Sequence, residues 1–594
     1  MRSATLLWFL GTALAAPSKA CGSCKAYPGT EAWPTRSEWT ALNDTISGRL
    51  IQPILPGGVC HEDQPNFDEA ECPTRQSEWA SYDWHSTDPV SVMYDNAANW
   101  TCLPDPKDPC TGEGYPAYVI NATTTEHVKA GVDFARDNNI RLVVKASGHD
   151  FLGRSVAPGS LSIWMHHYDN VEFHAGSFQL NGTDSVFEGD SISCGGGTSM
   201  YSLYQETDKH NTTVVGGGAK SVSVGGYISG GGHSMLSPDY GLAADNVIEM
   251  EVVTPLGDVL VANKESNNDL YWALLGGGGS TFGVVTRFTI KAHPTPKMQF
   301  VTFMAATSPS NPMAADIVTF LASQFPDLND AGLRGYGFMT MTGFDTGVEG
   351  VPTEWAGISG AFTVVNQSVE YTESLFTELN NTLLERSNGT GSVTILPVRT
   401  YNTFMEYFDE RFDAGNAGST ALLKSRLLDR RVLTNDLDAL KAALMAVINV
   451  RGLMHFYPLA GKAVHEAANG GRDNSVNPGW RSAYVHALTS MGFEPFNRTA
   501  EKEAQALLKE AWEPMVQLTP GMGSYINEAA YFEENPAETF WGDNYERLLQ
   551  IKREVDPMDV MWCPFCVGHE HWEQRENGQL CRLAGPSRMR FREN

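Results

Sequence analysis

Three glycine-rich segments, each placed between apolar runs of strand length, constrain the fold of this chain more than any other feature. They are the turn 145–155, the block 214–234 and the run 276–283, which leads into a further apolar run at 284–290. Glycine inside ordered structure costs stability, because it loses more conformational freedom on folding than other residues. Its recurrence therefore predicts a main chain that packs closely around an extended ligand.

The first of these segments, Lys145-Ala-Ser-Gly-His-Asp-Phe-Leu-Gly-Arg-Ser155, has the composition of a turn that binds a phosphate group. It follows the apolar run 140–144, which predicts a buried strand, and its small residues continue neither a strand nor a helix. Such a turn exposes backbone N–H groups and lets a ligand approach the main chain. We predict that it binds the pyrophosphate of a flavin and that His149 reaches the isoalloxazine ring.

The length and charge of the chain narrow the class of protein. With 594 residues the chain is too long for one hydrophobic core, so we expect two or more lobes. Its apolar content of 42% and aromatic content of 10% are those of a globular protein. The formal net charge of −28 disfavours binding to nucleic acid or to an anionic membrane, because phosphate would be repelled.

The N-terminus predicts secretion. Arg2 precedes a short apolar run, 6–14, and small residues up to Ala16 offer a cleavage site, so residues 1–16 are predicted to be a signal peptide. The run is too short to span a bilayer. Nine Asn-x-Ser/Thr sequences agree with an N-glycosylated, extracellular protein; the alternative is a protein retained in a vacuole or another compartment. These sequences begin at Asn43, Asn99, Asn121, Asn181, Asn211, Asn366, Asn380, Asn388 and Asn497.

Cysteine usage supports the same compartment. All ten cysteines follow residue 16, and in an oxidising compartment they are expected to form disulfides. Six of them lie in a segment without sustained periodicity, residues 17–112, which we predict to be an irregular, Cys-rich arm. Its Cys21-x-x-Cys24 pair could be redox-active, but no βαβ pattern adjoins it, so structural disulfides are favoured. In the tail, Cys563, Cys566, His569 and His571 have the residue types and spacing of a zinc site; disulfides that involve Cys563, Cys566 and Cys581 are again favoured.

Hydrophobic periodicity divides the rest of the chain into three parts. Residues 113–296 begin with strand, helix and strand, the pattern of a nucleotide-binding lobe, and hold the glycine segments. Residues 297–535 alternate strand-like and helical runs, which predicts an α+β lobe that covers the substrate. Residues 536–594 begin with an amphipathic pattern at 538–555, which predicts one helix that Asp556-Pro557 ends.

Four motifs in order resemble a known family. They are Lys-Ala-Ser-Gly-His-Asp at 145–150, Val-Gly-Gly-Tyr-Ile-Ser-Gly-Gly-Gly-His at 224–233, Asp-Leu-Tyr-Trp-Ala-Leu-Leu followed by four glycines at 269–279, and Asn-Tyr-Glu-Arg-Leu-x-x-Ile-Lys-x-x-x-Asp-Pro at 544–557. Together they are similar to the vanillyl-alcohol-oxidase flavoprotein superfamily, in its berberine-bridge-enzyme-like branch, and to fungal FAD-linked oxidases of the isoamyl-alcohol-oxidase type. The match runs from residue 118 to residue 560.

The resemblance implies a fold and a cofactor. It implies an α+β protein with a PCMH-type FAD-binding lobe of two small subdomains and a substrate lobe with an antiparallel sheet over the isoalloxazine. The C-terminal segment would return to the FAD lobe. The histidine that matches His149 is bonded covalently to the flavin in the family, because a neutral imidazole is a competent nucleophile and the bond retains the cofactor. Non-covalent FAD beside a hydrogen-bonding His149 is the alternative.

The chain departs from the family at one position. Many members carry a second flavin link through a cysteine eight residues before the position of Tyr227, and this chain has Ala219 there. Cys194 lies upstream and out of register. The sequence therefore predicts a monocovalent FAD, linked through His149 alone, with a lower flavin potential than in doubly linked relatives.

Matching the motifs residue by residue predicts the FAD contacts. The first turn and the second block contribute six predicted contacts each, and one more residue would lie near the adenine. The predicted contacts are Ala146, Ser147, Gly148, His149, Asp150, Ser155, Ser223, Gly225, Gly226, Ser229, Gly230, His233 and Val247.

Catalytic candidates lie on two predicted strands. Gly523 to Glu528 matches the family's Tyr-x-Asn-Tyr strand, and period-2 alternation would place Tyr525 and Asn527 on one face, with Tyr525 as the acid/base or orienting group. The second family tyrosine is Glu528 here, which puts the usual tyrosine chemistry in doubt. On the predicted substrate strand, Tyr484 and His486 would also share a face, and either could be the base. No metal site is predicted.

These observations predict a monomeric, secreted, FAD-dependent oxidase that transfers hydride from an alcohol carbon of a small molecule to flavin and on to O2, forming H2O2. Two alternatives stay open: a tailoring oxidase or cyclase of secondary metabolism, and a flavin-binding protein with negligible turnover. The substrate depends on the variable lobe and is not defined by the sequence.

Overall fold

The computed structural model of the protein describes residues 24–343 and 353–583. The predicted signal peptide, residues 1–16, lies outside the described residues, as does Cys21. Within these two ranges, no helix combines the length and the apolar content that crossing a membrane requires.

The N-terminal arm is largely irregular and is fastened by disulfides. Its regular elements are helix α1 (Arg36–Thr45), strand β1 (Leu50–Ile51), helix α2 (Cys72–Glu78) and helix α3 (Tyr82–Thr87). Cys60–Cys72 and Cys102–Cys110 close short loops within the arm, and Cys24–Cys581 joins its start to the tail. The prediction of structural disulfides is confirmed.

Residues 113–296, the predicted first lobe, contain a five-stranded sheet, three strands of a four-stranded sheet and two short strand pairs. Its elements are β2 (Tyr118–Asn121), α4 (Thr125–Asp137), β3 (Leu142–Lys145), β4 (Leu161–Trp164), β5 (Val171–His174), β6 (Ser177–Gln179), β7 (Val186–Glu188), β8 (Ser191–Gly195), α5 (Met200–Asp208), β9 (Thr212–Thr213), α6 (Val224–Ser229), α7 (Ser237–Tyr240), β10 (Val247–Val253), β11 (Val259–Asn263), α8 (Asn268–Leu274), β12 (Val284–Lys291) and β13 (His293–Pro294). The order β1-β2-β4-β3 forms one sheet, with β2 and β3 parallel to β4. The order β11-β10-β12-β8-β5 forms an antiparallel second sheet.

The second lobe, residues 297–535, is built on one large antiparallel sheet. Its elements are β14 (Met298–Thr307), α9 (Ala314–Asp330), β15 (Arg334–Thr340), β16 (Ala356–Val365), α10 (Val369–Arg386), β17 (Ser392–Ile395), β18 (Arg399–Tyr401), α11 (Phe404–Arg411), β19 (Leu422–Asp429), α12 (Arg430–Thr434), α13 (Leu437–Arg451), β20 (Leu453–Tyr457), α14 (Lys462–His465), β21 (Ala483–Met491) and α15 (Arg498–Leu518). The sheet order is β17-β14-β16-β15-β20-β21-β19, with β18 beside β14. The predicted α+β fold is confirmed, and the large antiparallel sheet corresponds to the sheet predicted for the substrate lobe.

The two faces of the large sheet are buried against different partners. Helices α9, α13 and α15 cover one face, where Phe325, Leu444 and Trp512 are buried in a common core. Residues of the opposite face, among them Phe300 and Leu427, share a core with residues of the first lobe. The large sheet therefore presents one face to the first lobe, and the cavity described below lies between them.

The C-terminal segment packs back on the first lobe. It contains α16 (Pro536–Trp541), α17 (Tyr545–Val555), β22 (Trp572–Gln574) and β23 (Leu580–Arg582). Trp541 Nε1 donates to the carbonyl of Gly276 at 3.1 Å, and Lys552 Nζ donates to that of Thr281 at 2.8 Å. The prediction of one continuous helix over 538–555 is wrong. Gly542, at φ +51° and ψ −130°, ends α16, and a 3₁₀ turn precedes α17.

Candidate active site

All three glycine segments line one cavity of about 710 Å³ between the two lobes. The turn 146–155 forms one part of its wall, residues 216–235 a second, and residues 278–285 a third. The segment 525–528 and the inner face of the large sheet complete it. Residues that are far apart in the sequence thus converge on a single space.

The first turn has a backbone that only glycine adopts easily. Gly148 has φ +87°, and a Cβ there would lie 3.1 Å from Lys145 Cε and 3.2 Å from the carbonyl oxygen of Ser91. The N-terminal arm holds the turn from behind, since Met93 N–H donates to the Gly148 carbonyl at 3.1 Å. The arm and the turn are therefore one unit.

His149 faces the cavity as a neutral imidazole. Its Nε2 lies 2.9 Å from Ser221 Oγ, and the Tyr82 ring meets its ring edge-on at 4.7 Å. Burial lowers the pKa of His149 to about 3, and the nearby charges of Lys145 and His85 act in the same direction. With Nε2 held by Ser221, Nδ1 is the second ring nitrogen available for a bond.

Lys145, just before the turn, is a wholly buried cation. Its Nζ donates to the backbone carbonyls of Asp88 at 2.7 Å, His85 at 3.2 Å and Ser86 at 3.4 Å. Burial lowers the pKa of Lys145 to about 7, although Asp88 opposes that shift. These bonds connect the strand that leads into the turn with the end of α3.

A guanidinium that the sequence did not single out completes the turn. Asp150 accepts from the Arg154 backbone N–H at 2.6 Å and from its Nε at 2.8 Å, and Arg154 Nη2 donates to Asn527 Oδ1 at 2.9 Å. Arg154 Nη1 is buried and has no partner in the described part of the chain. A buried donor without a partner is costly, so Nη1 is suited to an acceptor on a ligand.

The floor of the cavity is made of bare backbone. A Cβ on Gly226 would meet no atom within 4 Å, and one on Gly279 would meet only Gly226 Cα, at 3.7 Å. Side chains at either position would fill the space between the two segments. A glycine cradle, a neutral histidine and an unsatisfied guanidinium together fit FAD.

Most predicted FAD contacts line the cavity, and two do not. Ala146, Ser147, Gly148, His149, Asp150, Ser155, Ser223, Gly225, Gly226, Ser229 and His233 are on its wall. Gly230 instead packs against the side chain of Asn527, whose Nδ2 would lie 2.4 Å from an added Cβ. Val247 is buried at the start of β10, where its carbonyl accepts from Tyr271 Oη at 2.8 Å. FAD contact remains a prediction for the residues on the wall.

Tyr525 and Asn527 are adjacent, although not on a strand. Residues Ile526–Glu528 form a 3₁₀ turn. Gly523, at φ +66°, bends the chain before it. The Ser524 N–H donates to the Thr539 carbonyl at 2.8 Å, so it is not available to a neighbouring strand. Asn527 Nδ2 donates to Tyr525 Oη at 2.9 Å, and both residues line the cavity. Burial, followed by the charge of Glu528, raises the pKa of Tyr525, so its phenol keeps its proton at neutral pH.

Tyr484 and His486 do not share a face as expected. In the pairing of β19 with β21, Leu428 pairs with Val485 and the next residue, Asp429, pairs with Ala483. Tyr484 is therefore the extra residue of a β-bulge. Its Oη donates to Asp330 Oδ2 at 3.2 Å on the side away from the cavity. His486 points inward and is fully buried.

Glu528, at the position of the family's second tyrosine, lies between two imidazoles. Its Oε1 lies 3.0 Å from His233 Nε2 and its Oε2 lies 2.9 Å from His486 Nε2. Burial alone would raise the pKa of Glu528, but the interactions with His233 and His486 outweigh it and hold that pKa far below its usual range. The acidic residue in place of a tyrosine was the sequence signal for this group.

The side of the cavity toward the large sheet is aromatic. Its ring-bearing residues are Phe300, Tyr336, Phe404, Tyr407, Phe408 and Tyr457. Ala219 also lines the cavity, where Asp413 N–H donates to the carbonyl of Gly218 at 2.8 Å. At this position, where the family resemblance predicts the absence of a second flavin link, the chain presents only a methyl group to the cavity.

The tail does not assemble the alternative zinc site. Cys563 and Cys566 form a disulfide, and Cys581 pairs with Cys24. His569 Nδ1 lies 2.8 Å from the Cys566 carbonyl oxygen. Cys194 is a buried free thiol whose pKa burial raises to about 12, which makes it unreactive.

Comparisons with known proteins agree with this geometry. A family model described as an FAD binding domain matches residues 116–263, and one described as "Berberine and berberine like" matches residues 524–565. The bifunctional decalin synthase calF of Penicillium decumbens is 33% identical over 97% of this chain and 98% of its own. The VAO-type flavoprotein oxidase VAO615 of Thermothelomyces thermophilus is 32% identical over 94% of this chain and 95% of its own. The crystal structure of the VAO-type flavoprotein MtVAO615 from Myceliophthora thermophila C1 superposes with a TM-score of 0.83 and 30% identity, covering 94% of this chain and all of that one.

Proposed function

Because the chain belongs to the berberine-bridge-enzyme-like FAD oxidases of the vanillyl-alcohol-oxidase superfamily, we propose that it oxidises an alcohol carbon of a small molecule and passes the electrons to O2, forming H2O2. One observation carries the proposal. A single cavity joins the glycine cradle and neutral His149 to a tyrosine–asparagine pair that can hold a hydroxyl group.

The residues of the cradle would hold FAD, which when bound supplies the hydride acceptor and the reaction with oxygen. His149 would form the single covalent bond, and Ala219 offers no second one. Arg154 Nη1 would donate to an acceptor on the cofactor, while Gly226 and Gly279 give it room.

On the substrate side, Tyr525 would bind the alcohol. Asn527 Nδ2 donates to its Oη, so the phenol proton is free to donate to the substrate oxygen and orient it. The aromatic residues of the large sheet would exclude water from the reacting carbon. Tyr484 lies outside the cavity and has no role in this scheme.

An anaerobic bleaching screen tests the proposal. The purified holoprotein is mixed with primary alcohols, carbohydrates and phenolics, and the flavin absorbance is followed. Bleaching by a simple alcohol or sugar, with recovery and H2O2 formation in air, is expected. A flavin that no candidate bleaches would leave the protein as a flavin-binding protein without this activity.

A second function, a tailoring oxidase or cyclase of secondary metabolism, is supported by the similarity to a protein named a bifunctional decalin synthase. It would form a C–C or C–O bond after oxidation. In that case simple alcohols fail in the screen, and only an elaborate substrate of that pathway bleaches the flavin.

The proposed function includes secretion and a monomeric state. The four disulfides of the described residues fit an oxidising compartment, which supports a secreted protein. Its signal peptide and glycosylation are tested by N-terminal sequencing and by glycosidase treatment of the secreted protein. Light scattering tests the proposed monomer.

A further inference from the structure

A second, smaller cavity lies on the helix-covered face of the large sheet, beside the edge strand β19. Its volume is about 170 Å³, and it is lined by residues of β19, of helix α15, of the loop 519–523 and of the segment 532–539. Alternation along β19 places Arg426 on the same face as Leu422, which belongs to the core under the helices. Leu423, on the other face, lines the candidate active site. The strand therefore separates the two cavities.

Arg426 is the residue that distinguishes the second cavity. It lines the cavity and is only 7% exposed. Its buried Nε has no partner, and no hydrogen bond or ion pair engages the rest of the guanidinium within the described part of the chain. A guanidinium has five N–H donors, and burying donors without partners is costly. These donors are therefore suited to an acceptor on a ligand.

The two lysines beside Arg426 already have partners. Lys424 Nζ lies 3.0 Å from Glu533 Oε2, and both residues are buried. Lys509, on α15, forms an ion pair with Glu534. Each pair is neutral as a unit. Among the described residues of this wall, the pairs leave the positive charge of Arg426 without a buried counter-ion.

The remaining acids of the wall, Glu513 and Glu538, lie at its rim. Both are exposed, and Gln517 Nε2 donates to Glu513 Oε1 at 2.9 Å. Burial lowers the pKa of Arg426, and although Glu533 and the two rim acids oppose this shift, burial outweighs them. Water screens the charges of exposed groups. The buried groups of the wall, two cations and one carboxylate, therefore retain one positive charge.

We propose that the second cavity is a binding site for a small aliphatic carboxylate, whose oxygens accept hydrogen bonds from Arg426. A carboxylate supplies the missing negative charge and matches the planar fork of guanidinium donors. Val516 and Phe532 provide apolar wall for its carbon atoms. The volume is several times the roughly 30 Å³ that a water molecule occupies in the liquid, so a ligand of a few carbon atoms fits. Because no described residue lines both cavities, binding here is independent of the proposed function.

The loop 519–523 connects the second cavity to the candidate active site. Gly523 lines the second cavity, and its carbonyl accepts from Leu427 N–H at 3.0 Å. Two residues further along the chain, Tyr525 lines the candidate active site. A carboxylate in the second cavity would restrain this loop, so hydrogen exchange of its backbone amides is expected to slow on binding.

The test measures binding by calorimetry to purified full-length holoproteins in a buffer without carboxylates. Acetate, propionate and butyrate are the probes, and sodium chloride and 1-propanol, titrated in the same way, control for ionic strength and for the alkyl group. The wild type is expected to bind one carboxylate per chain and neither control compound. Arg426→Met should weaken binding at least about tenfold. Arg426→Lys should fall between the two, because it keeps the charge and loses the fork. Arg431→Met, at an exposed arginine of the same lobe, should match the wild type.

Melting curves and hydrogen exchange give readouts besides the heat of binding. Propionate should raise the melting temperature of the wild type and slow exchange in the loop 519–523, and both effects should be lost in Arg426→Met. Without ligand, Arg426→Met should melt no lower than the wild type, because it removes a buried charge that has no partner. If Arg426→Met does not fold, Arg426→Lys takes its place and must weaken binding.

Four results would overturn this site. A wild type that binds none of the three carboxylates would mean that the cavity holds water. Binding of equal strength in Arg426→Met would place the carboxylate elsewhere in the protein. Chloride that binds as tightly as the carboxylates would leave an inorganic-ion site only. A ligand-free Arg426→Met that melts several degrees below the wild type would mean that Arg426 stabilises the fold without a ligand.

Discussion

The neighbours of His149 determine its chemistry. Burial, and after it the positive charges that Lys145 and His85 carry when protonated, disfavour the imidazolium, so the ring has a lone pair at neutral pH. Ser221 Oγ, 2.9 Å from Nε2, can accept a hydrogen bond from the Nε2 N–H, which leaves the lone pair on Nδ1. A serine within the second glycine block would thereby select which nitrogen attacks the flavin, a role that no motif within the sequence identifies.

Replacing Ser221 by alanine should slow covalent attachment of FAD. The loss of one hydrogen bond, worth about 1 kcal/mol, corresponds to about a fivefold slower reaction. Apoprotein is incubated with FAD, samples are precipitated with acid at intervals, and the flavin retained in the pellet is measured. The exposed serine variant Ser202→Ala serves as control and should match the wild type.

Two results would count against this role. Equal time courses for wild type and Ser221→Ala would mean that Ser221 does not orient the ring. Release of all the flavin from acid-treated wild type would mean that the proposed bond to His149 does not exist.

Helices and strands with a repeating apolar pattern were predictable from the sequence, whereas turns that depend on one unusual backbone conformation were not. The strand-like and helical runs predicted within residues 297–535 appear as regular elements, such as β14 and α13, because a buried apolar face repeats along each. The segment 523–528 also has an alternating pattern, but it does not form a strand. Gly523 is in the left-handed region, and the backbone N–H of Ser524 donates a hydrogen bond to Thr539. Such bonds join distant segments, so a local pattern does not contain them.

The break between α16 and α17 gives a test of one such position. Gly542 has φ +51° and ψ −130°, and a Cβ there would meet nothing closer than Pro478 Cδ at 3.8 Å. Gly542→Ala should therefore introduce backbone strain without a clash and lower the free energy of unfolding by about 1–3 kcal/mol. Urea unfolding measures the loss, with the exposed Gly492→Ala as control. A gain in stability would contradict the requirement for glycine.

The junction between α3 and the first turn should respond to acid. Burial lowers the pKa of His85 from 6.5 to about 4, partly opposed by its hydrogen bond to the Trp79 carbonyl. Between these values the unfolded chain binds a proton that the folded protein does not, so the free energy of unfolding falls as the pH drops from 6.5 to 4. The full contribution, about 3 kcal/mol, is present above pH 6.5.

His85→Gln should make the unfolding free energy depend less on pH between 4 and 6.5, by an amount that corresponds to at most one bound proton. Unfolding free energies measured at intervals between pH 4 and pH 8 give the slope for variant and wild type. Above pH 7 the two slopes should coincide, which is the internal control. An unchanged slope below pH 6.5 would show that His85 is not held neutral.

Folding of the whole chain brings together side chains that are far apart in the sequence. His233, His486 and Glu528 come from both lobes, and their meeting depends on how the lobes pack. The motif at 224–233 identified His233 as a cofactor contact, and Glu528 was visible only as a departure from a pattern. Family motifs could thus predict the cradle, since they lie in continuous segments, whereas the cluster of His233, Glu528 and His486 required the assembled fold.

A disulfide fastens the start of the N-terminal arm to the tail. Cys24–Cys581 spans 557 residues and Cys60–Cys72 spans 12. If disulfides act mainly on the entropy of the unfolded chain, the longer loop contributes more, about 6 kcal/mol against about 3 kcal/mol. The double variant Cys24→Ser/Cys581→Ser should therefore lose more unfolding free energy than Cys60→Ser/Cys72→Ser. Denaturant titrations followed by tryptophan fluorescence measure both losses, with flavin fluorescence reporting on the cradle. Equal losses would mean that local strain or packing, and not loop length, sets the contribution of these bonds.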